Sequence, residues 1–290
     1  MSGAIRSLRP LLLLLASLNY LLGLAAADYL GIQLRSGAAW LGLAWVLLFR
    51  ATAGILTDAF RPLAEHADPD ESAAERLVGR NRLVFTAGIL LTALAGITIP
   101  LLRDHEMTPS ALAVGVVGVA LLLAYTVPPA RLVYSGFGEL IQSVMLAWLP
   151  ASFAFLLQSG EYHRLLGFAT FALVLMGLAW LLALDFPGYA TDQKYGRRTL
   201  LLRIGWERAV PLHHAVLLAA YSLLLLSPAM RIASSLFWPG LLTAPFAVLQ
   251  ILLVRGIALG GRPNWPLLTA TSTAVFGLTT YFLTLSFWIR

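Results

Sequence analysis

Residues 163–185 read HRLLGFATFALVLMGLAWLLALD, and this stretch decides the fold. From Leu165 to Leu184 it contains no charged side chain. A run of about 20 apolar residues is long enough to cross the hydrocarbon core of a bilayer as an α-helix. A helix is also able to satisfy its own backbone hydrogen bonds where no water is present. The stretch therefore predicts a transmembrane helix.

The rest of the chain repeats this pattern. Of the 290 residues, 59% are hydrophobic and 12% are charged, whereas soluble domains average roughly 45–50% and about 25%. This composition excludes an ordinary cytosolic enzyme and a disordered protein. Charged residues, Pro or Gly bound nine apolar spans, at about residues 10–33, 37–60, 82–102, 108–127, 136–158, 163–185, 206–227, 233–254 and 265–288. We therefore predict an all-α, polytopic membrane protein whose nine transmembrane helices form a single bundle around a cavity open towards the cytoplasmic face.

The distribution of basic residues predicts the orientation. The net charge is +6, and most of the 20 Lys and Arg residues fall on the cytoplasmic side when the N-terminus is placed in the cytoplasm. This asymmetry follows the positive-inside rule, so the basic excess needs no nucleic-acid partner to explain it. An odd number of spans then puts the C-terminus outside. We expect a multi-pass protein of the cell membrane, and the absence of Cys excludes disulfides and thiolate-bound metals.

Two acidic pairs accompany the only two long connections, residues 61–81 and 186–205, both on the predicted cytoplasmic side. The pairs, each spaced by seven residues, are Asp58 with Glu65 and Asp185 with Asp192. Seven residues are about two helical turns, so the members of a pair would share one helix face about 10 Å apart. This spacing suits two magnesium ions, each held by one or two carboxylates and otherwise by phosphate oxygens and water. The alternative is a set of solvated carboxylates at helix ends.

A Gly-Arg cluster closes each of these connections. Residues 79–83 read GRNRL, and residues 196–200 read GRRTL directly after Lys194 and Tyr195. The arginine guanidinium presents a fork of N–H donors that binds phosphate oxygens. Each cluster alone is explained by the positive-inside rule, but carboxylates followed by arginines at both connections indicate a diphosphate site.

A third motif joins spans four and five on the same side. Residues 134–140 read YSGFGEL, and they place Glu139 just inside span five. A carboxylate inside the membrane costs roughly 2.5–3.5 kcal/mol on insertion scales, so it is expected to face a cavity or a partner. Arg50 in span two is the candidate partner. A purely structural Arg50–Glu139 ion pair and a role in substrate binding both fit this pattern.

Together these segments resemble the UbiA superfamily of intramembrane prenyltransferases, and most closely the 1,4-dihydroxy-2-naphthoate prenyltransferases of menaquinone synthesis. That family has nine helices and two Asp-rich motifs on cytoplasmic loops. Residues 134–140 are similar to its Tyr-x-Gly-x-Gly-Glu-Leu segment, and residues 185–200 resemble its second Asp-rich motif with the Gly-Lys/Arg-Arg-Thr-Leu tail. The resemblance implies that residues 1–290 form a single transmembrane prenyltransferase-like domain.

The first motif departs from the family pattern, which is usually Asn-Asp-x-x-Asp-x-x-x-Asp. Residues 57–65 read TDAFRPLAE, so Arg61 stands in place of the middle Asp. The second motif has Gly188 where an Asp is usual. Arg61 either takes a metal's place and holds diphosphate directly or forms an i,i+3 salt bridge with Asp58 that disables the site. The sequence leaves both interpretations open.

The resemblance implies an enzyme that transfers a polyprenyl group from a prenyl diphosphate to an aromatic acceptor of the quinone-precursor type, within the bilayer and with Mg²⁺ as cofactor. The alternative is a non-catalytic relative that binds an isoprenoid lipid or a quinone. The implied magnesium ligands are Asp58, Glu65, Asp185 and Asp192. The implied substrate contacts are Arg82, Arg131, Lys194 and Arg198, with Arg61 as a surrogate cation and Arg50 inside the bundle. Tyr134 and Glu139 are expected on the acceptor side.

Overall fold

The computed structural model of the protein describes residues 9–61, 73–195 and 197–290, with residues 73–76 described by their backbone alone. All regular structure in these ranges is helical, and nine of the helices are long and apolar enough to cross a membrane. They are α1 (Pro10–Tyr29), α2 (Ser36–Ala59), α3 (Ala73–Arg103), α4 (Pro109–Thr126), α5 (Gly138–Ser159), α6 (Arg164–Asp185), α7 (Trp206–Leu225), α8 (Ser234–Ala258) and α9 (Trp265–Ile289). The predicted all-α fold with nine spans is confirmed.

Local sequence explains where these helices begin and end. In α4, the Thr108 hydroxyl accepts a hydrogen bond from the backbone N–H of Ala111 at 3.2 Å, and Pro109 occupies the first helical position. Both features are typical of helix N-termini. The helix ends at Thr126, because the Pro pair at 128–129 cannot continue the backbone hydrogen bonding.

The two long connections are more helical than the sequence suggested. Residues 61–81 were predicted to be a loop, but α3 begins at Ala73, so the second half of this segment forms its first turns. The segment 186–205 holds three short helical pieces, which are Phe186–Gly188, Tyr189–Lys194 and Leu200–Ile204. Polar residues were used to place the ends of the helices, but Ala, Glu, Leu and Arg are strong helix formers. Polarity alone therefore placed these helix boundaries wrongly.

The most buried helices are α5 and α6, at the centre of the bundle. In α5, 78% of the spanning window is buried, compared with 11% in α3. Helix α1 packs against α5 and α9, so the first and last helices close the bundle, while α3 packs chiefly against α2 at the edge. The backbones of α1 and α5 approach so closely that a Cβ atom on Gly23 would overlap the carbonyl oxygen of Ala151.

Helix α5 widens one turn after it enters the bundle. Residues Val144–Trp148 form a π-helical turn, and the α-helix resumes at Leu149. Pro150 cannot donate the backbone hydrogen bond that an α-helix requires there, which accounts for the change in hydrogen bonding just before it. The first half of α5, which carries Glu139, packs against α6. This packing brings Glu139 to the end of α6.

Candidate active site

The second acidic pair lies where α6 leaves the bundle. Asp185 is the last residue of α6, and Asp192 follows in the helical piece Tyr189–Lys194. Only 7% of Asp192 is exposed, and the Oδ2 atom of Asp185 is buried without a hydrogen-bond partner. The two carboxyl groups also interact electrostatically. The fold therefore places both carboxyl groups at this end of α6.

Glu139 joins this pair. Its Oε2 atom accepts a hydrogen bond from the backbone N–H of Leu200 at 3.1 Å, and its carboxyl group lies beside that of Asp185. Two buried carboxyl groups in contact require a proton or a cation between them, because two like charges repel at this distance. The structure thus assigns Glu139 to the second acidic motif. The hypothesis of an Arg50–Glu139 ion pair is wrong, because Nε and Nη1 of Arg50 are buried without any hydrogen-bond partner.

A cavity of about 750 Å³ adjoins Asp192 on this side of the bundle. It is lined by Ser135, Asp192, Gln193, Arg197, Arg198, Leu202 and Arg203. Three arginines and one aspartate give the lining an excess of positive charge. Guanidinium groups bind phosphate oxygens through charge-assisted, often bidentate, hydrogen bonds. The cavity is therefore suited to a phosphorylated ligand. We call the side of the bundle that carries this cavity and the two acidic motifs the motif face.

The segment YSGFGEL forms one wall of the cavity through its contact with Arg203. The guanidinium of Arg203 donates to the carbonyl oxygen of Ser135 at 2.8 Å and lies 4.0 Å from the centre of the Phe137 ring. Gly136 has a φ of 78°, and a Cβ atom there would lie 2.6 Å from Cδ of Arg203. Glycine is thus required for both the backbone conformation and the close approach. Sequence reasoning missed Arg203 as a site residue, although it follows the second motif directly.

The predicted diphosphate contacts differ in their positions. Arg198 is exposed and lines the cavity. The guanidinium of Arg131 lies 5.0 Å from the centre of the Tyr134 ring, and its Nε atom is buried without a hydrogen-bond partner. Lys194 and Arg82 are exposed, and neither lies among the residues that line the cavity. Arg198 is therefore the predicted contact that the structure places in the cavity wall.

The first acidic motif is built differently. The Oδ1 atom of Asp58 accepts hydrogen bonds from Nη2 of Arg61 at 3.1 Å and from Nη2 of Arg9 at 3.2 Å. The Thr57 hydroxyl donates to a backbone carbonyl one turn back in α2. Glu65 lies outside the described residues. The salt bridge considered from the sequence is thus present, and Arg9 is an additional partner that the sequence did not indicate.

Tyr125 connects the two halves of the site. It interacts electrostatically with Arg9, Arg50, Glu139 and Arg197. Its hydroxyl donates to Oε1 of Gln142 at 2.7 Å, and Arg50 beside it is only 3% exposed. The Tyr125–Gln142 contact thus forms a polar link between α4 and α5 inside the bundle. No local sequence signal marks Tyr125 or Gln142, because their position depends on the packing of α4 against α5.

The two acidic motifs differ in their fitness for magnesium. In the described part of the chain, no three Asp, Glu or His side chains form a ready-made metal site. Magnesium is usually held by only one or two carboxylates, with phosphate and water supplying the other oxygens. Asp185 fits this requirement, because its Oδ2 atom is buried without a hydrogen-bond partner. Asp192 lies beside it, with the guanidinium of Arg197 at 3.5 Å from its Oδ1 atom. Asp58 does not fit, because two guanidiniums already occupy its Oδ1 atom.

These features define a class of protein. A bundle of membrane-spanning helices carries buried carboxylates beside an arginine-lined cavity at one face, as expected of an intramembrane enzyme that acts on a phosphorylated substrate. The sequence profile of the UbiA prenyltransferase family matches residues 66–260. The chain therefore belongs to the UbiA prenyltransferase family, whose members are intramembrane prenyltransferases.

Two solved structures share the fold. A UbiA homologue from Archaeoglobus fulgidus, bound to GPP and Mg²⁺, is 15% identical, with a TM-score of 0.67 and 99% of each chain covered. A structure described for digeranylgeranylglyceryl phosphate synthase is 16% identical, with a TM-score of 0.66 and coverage of 99% of this chain and 98% of that one. No curated protein gives a significant match. Similarity at this level of identity shows the fold alone.

Proposed function

We propose that this enzyme transfers a polyprenyl group from a prenyl diphosphate to an aromatic acceptor of the quinone-precursor type, in menaquinone biosynthesis at the cell membrane. The observation that carries the proposal is the position of Asp185, Asp192 and Glu139 beside an arginine-lined cavity. This arrangement supplies the groups needed for a diphosphate and its cation. The GPP and Mg²⁺ bound to the A. fulgidus homologue support the donor, and the Tyr134–Leu140 segment supports the aromatic acceptor.

The residues of the cavity stabilise the leaving group. When the carbon–oxygen bond of the prenyl diphosphate breaks, its electron pair leaves with the diphosphate. Arg197, Arg198 and Arg203 line the cavity where that negative charge develops, and preorganised donors of this kind lower the barrier most. Asp185 and Asp192 would hold a magnesium ion, which would supply Lewis-acid neutralisation of the same charge. The allylic cation that remains is shielded from water by the apolar bundle until an electron-rich aromatic carbon attacks it and then loses a proton.

Arg50 is the residue that we assign to the acceptor. A guanidinium that is 3% exposed and lacks partners for two of its nitrogens is costly inside a membrane bundle. An acidic group on the acceptor, either a carboxylate or a phenolate, would satisfy it, with Tyr125 and Gln142 beside it. Because Glu139 contacts Asp185, we place Glu139 on the diphosphate side instead of the acceptor side. Tyr134 remains a proposed acceptor contact.

The test is prenyl transfer by the purified protein in lipid nanodiscs with Mg²⁺ and radiolabelled prenyl diphosphates of several lengths. The acceptors are 1,4-dihydroxy-2-naphthoate, the same naphthalene without its carboxylate, and a non-aromatic glycerol phosphate ether. We expect a prenylated aromatic product and a preference for the carboxylated acceptor that the Arg50→Gln variant loses. Transfer only to the non-aromatic alcohol would exclude the aromatic acceptor. Binding of isoprenoids without diphosphate release would favour the non-catalytic relative considered above.

A further inference from the structure

We propose that the first half of the diphosphate site works without a metal ion. Arg9 and Arg61, held in place by Asp58, take the position of one magnesium, so the enzyme binds its prenyl diphosphate with a single Mg²⁺ at Asp185 and Asp192. This inference rests on the proposed function, because it requires a diphosphate substrate. It replaces the expectation of two magnesium ions, one at each acidic motif.

The contacts of Asp58 leave little room for a metal ion at its Oδ1 atom. Both Arg61 and Arg9 reach this one oxygen, at 3.1 and 3.2 Å. Magnesium binds its oxygen ligands at about 2.0–2.1 Å and demands near-octahedral geometry. A dication at that distance from Oδ1 would lie beside two guanidiniums that already point at the same atom, and the like charges would repel.

The charge of this cluster matches that of a metal-loaded carboxylate. Magnesium on a single carboxylate leaves one net positive charge, and two guanidiniums on a single carboxylate leave the same. Arg9 and Arg61 each use Nη2 for Asp58, so the remaining N–H donors of both forks are available to phosphate oxygens. A diphosphate at this end of the site would therefore interact with the same net charge as at a magnesium-loaded carboxylate. Its hydrogen bonds to the guanidiniums would be more directional than its contacts with a metal ion.

The cations lie closer to solvent than the carboxylate that holds them. The side chains of Arg9 and Arg61 are 29% and 37% exposed, compared with 18% for Asp58. An anion that approaches the motif face thus meets the guanidiniums before the carboxylate. Thr57 stands where the family motif has Asn. Its hydroxyl group donates its hydrogen bond to the backbone of α2 instead of pointing it at a ligand of Asp58. The substituted positions of this motif therefore favour anion binding over metal binding.

The arginine pair and the second motif belong to the same end of the bundle. Asp58 lies near the end of α2 and Asp185 ends α6, and these two even-numbered spans run in the same direction. Both halves are therefore placed to act on one ligand. A diphosphate has two phosphoryl groups, and this arrangement gives one of them to the metal at Asp185 and Asp192 and the other to the arginine pair.

The test is the number of metal ions bound together with a prenyl diphosphate. Mn²⁺ replaces Mg²⁺, geranyl S-thiolodiphosphate is the probe because its carbon–sulfur bond resists cleavage, and electron paramagnetic resonance counts the bound Mn²⁺. We expect one Mn²⁺ per wild-type chain. The double variant Arg9→Gln/Arg61→Asp removes both cations and restores the middle carboxylate of the motif, so we expect it to bind a second Mn²⁺.

Affinity for the probe at saturating Mn²⁺ gives a second readout. The variant Arg9→Gln/Arg61→Gln should bind the probe at least tenfold more weakly than the wild type. The matched control is Arg103→Gln, which removes an arginine paired with Asp104 at the opposite end of the bundle and should leave the affinity unchanged.

Two Mn²⁺ ions per wild-type chain, or unchanged affinity in the Gln/Gln variant, would overturn the inference. If the wild type binds two metal ions and still transfers prenyl groups, the inference fails and the proposed function stands. If the wild type binds no probe at any metal concentration, both fail. The count on the wild-type chain decides the question even if a variant does not fold.

Discussion

At the scale of single residues, the contact between Asp185 and Glu139 is the centre of the proposed cation site. Both side chains sit where α5 and α6 meet, and the Oδ2 atom of Asp185 is buried without a partner. Carboxyl groups inside a membrane are costly, and those that persist are usually functional. The unsatisfied oxygen beside the arginine-lined cavity is the strongest sign of a cation site in the described residues.

Removing either carboxylate of the second pair should abolish most of the activity. We expect Asp185→Asn and Asp192→Asn each to lower prenyl transfer by about 100-fold or more, because each removes a negative charge from the cation site beside the leaving group. Thermal unfolding in detergent should remain close to that of the wild type. The control is Asp104→Asn at the opposite end of the bundle, which should keep full activity. Near-wild-type turnover in both test variants would reassign these residues as solvated helix ends.

Gly188 offers the converse experiment, in which a ligand is added. A Cβ atom at this position would lie 3.4 Å from Oδ2 of Asp192, and the backbone φ of −84° suits any residue. Gly188→Asp would place a carboxylate where the family motif has one. We expect the Mg²⁺ concentration for half-maximal activity to fall about tenfold, which corresponds to about 1.4 kcal/mol of binding free energy.

The matched control for this change is Gly188→Ala, which adds the Cβ atom without the charge. Titration of activity with Mg²⁺ should separate the two variants, since only the aspartate supplies an oxygen ligand. The same Mg²⁺ dependence in both would mean that no metal binds beside Asp192.

At the scale of helices, the close packing of α1 against the second half of α5 holds the centre of the bundle together. Gly23→Ala should force these backbones apart, since the new methyl group would overlap the carbonyl oxygen of Ala151. Overpacking of this kind costs typically about 1–3 kcal/mol, so the midpoint of thermal unfolding should fall by several degrees. Gly88→Ala in α3 is the control, because nothing lies within 4 Å of its Cβ position. Equal unfolding midpoints in the two variants would contradict the observed packing.

The sequence predicted the membrane-spanning helices well because their signal is local. An apolar run of sufficient length has few alternatives in a bilayer, so α6 was predicted at residues 163–185 and is observed at Arg164–Asp185. The start of α3 at Ala73 was missed, because polarity ends a membrane span without ending a helix. The same limitation hid the helical pieces that follow α6.

The site was only partly predictable, because several of its contacts join distant parts of the chain. Motif spacing predicted that Asp185 and Asp192 share one helix face, and the structure places Asp185 at the end of α6 and Asp192 in the short helical piece that follows it. The sequence offered Arg50 as a candidate partner of Glu139, whereas the structure places Glu139 beside Asp185, because the packing of α5 on α6 decides which charged group it contacts. Arg9 lies far from Asp58 in sequence, and no motif marks it. Contacts of this kind are set by the bundle and not by local pattern.

At the scale of the whole molecule, the charged chemistry gathers at the motif face while the sides of the bundle are apolar. Exposed large apolar side chains such as Phe85 on α3, Leu252 on α8 and Ile289 on α9 are suited to contact with lipid acyl chains. A prenyl diphosphate has the same division, with a polar head and a long apolar tail. The arrangement therefore allows the head to enter the cavity while the tail stays in the apolar phase.

The final prediction concerns the orientation of this bundle. Both acidic motifs follow even-numbered helices, α2 and α6, so they share one face with the N-terminus, and most of the Lys and Arg residues gather on that face. The positive-inside rule predicts that this face is cytoplasmic. A periplasm-active reporter fused after Arg290, beyond the ninth span, should therefore be active, whereas the same reporter fused after Gly260, between α8 and α9, should be inactive. A reporter active only in the cytoplasm should give the opposite pair of results. If both fusions report the same side, α9 does not cross the membrane. If the two results are exchanged, the motif face points outward. A cytoplasmic pool of prenyl diphosphate could then not reach Asp185 and Asp192, and the substrate would have to come from outside the cell.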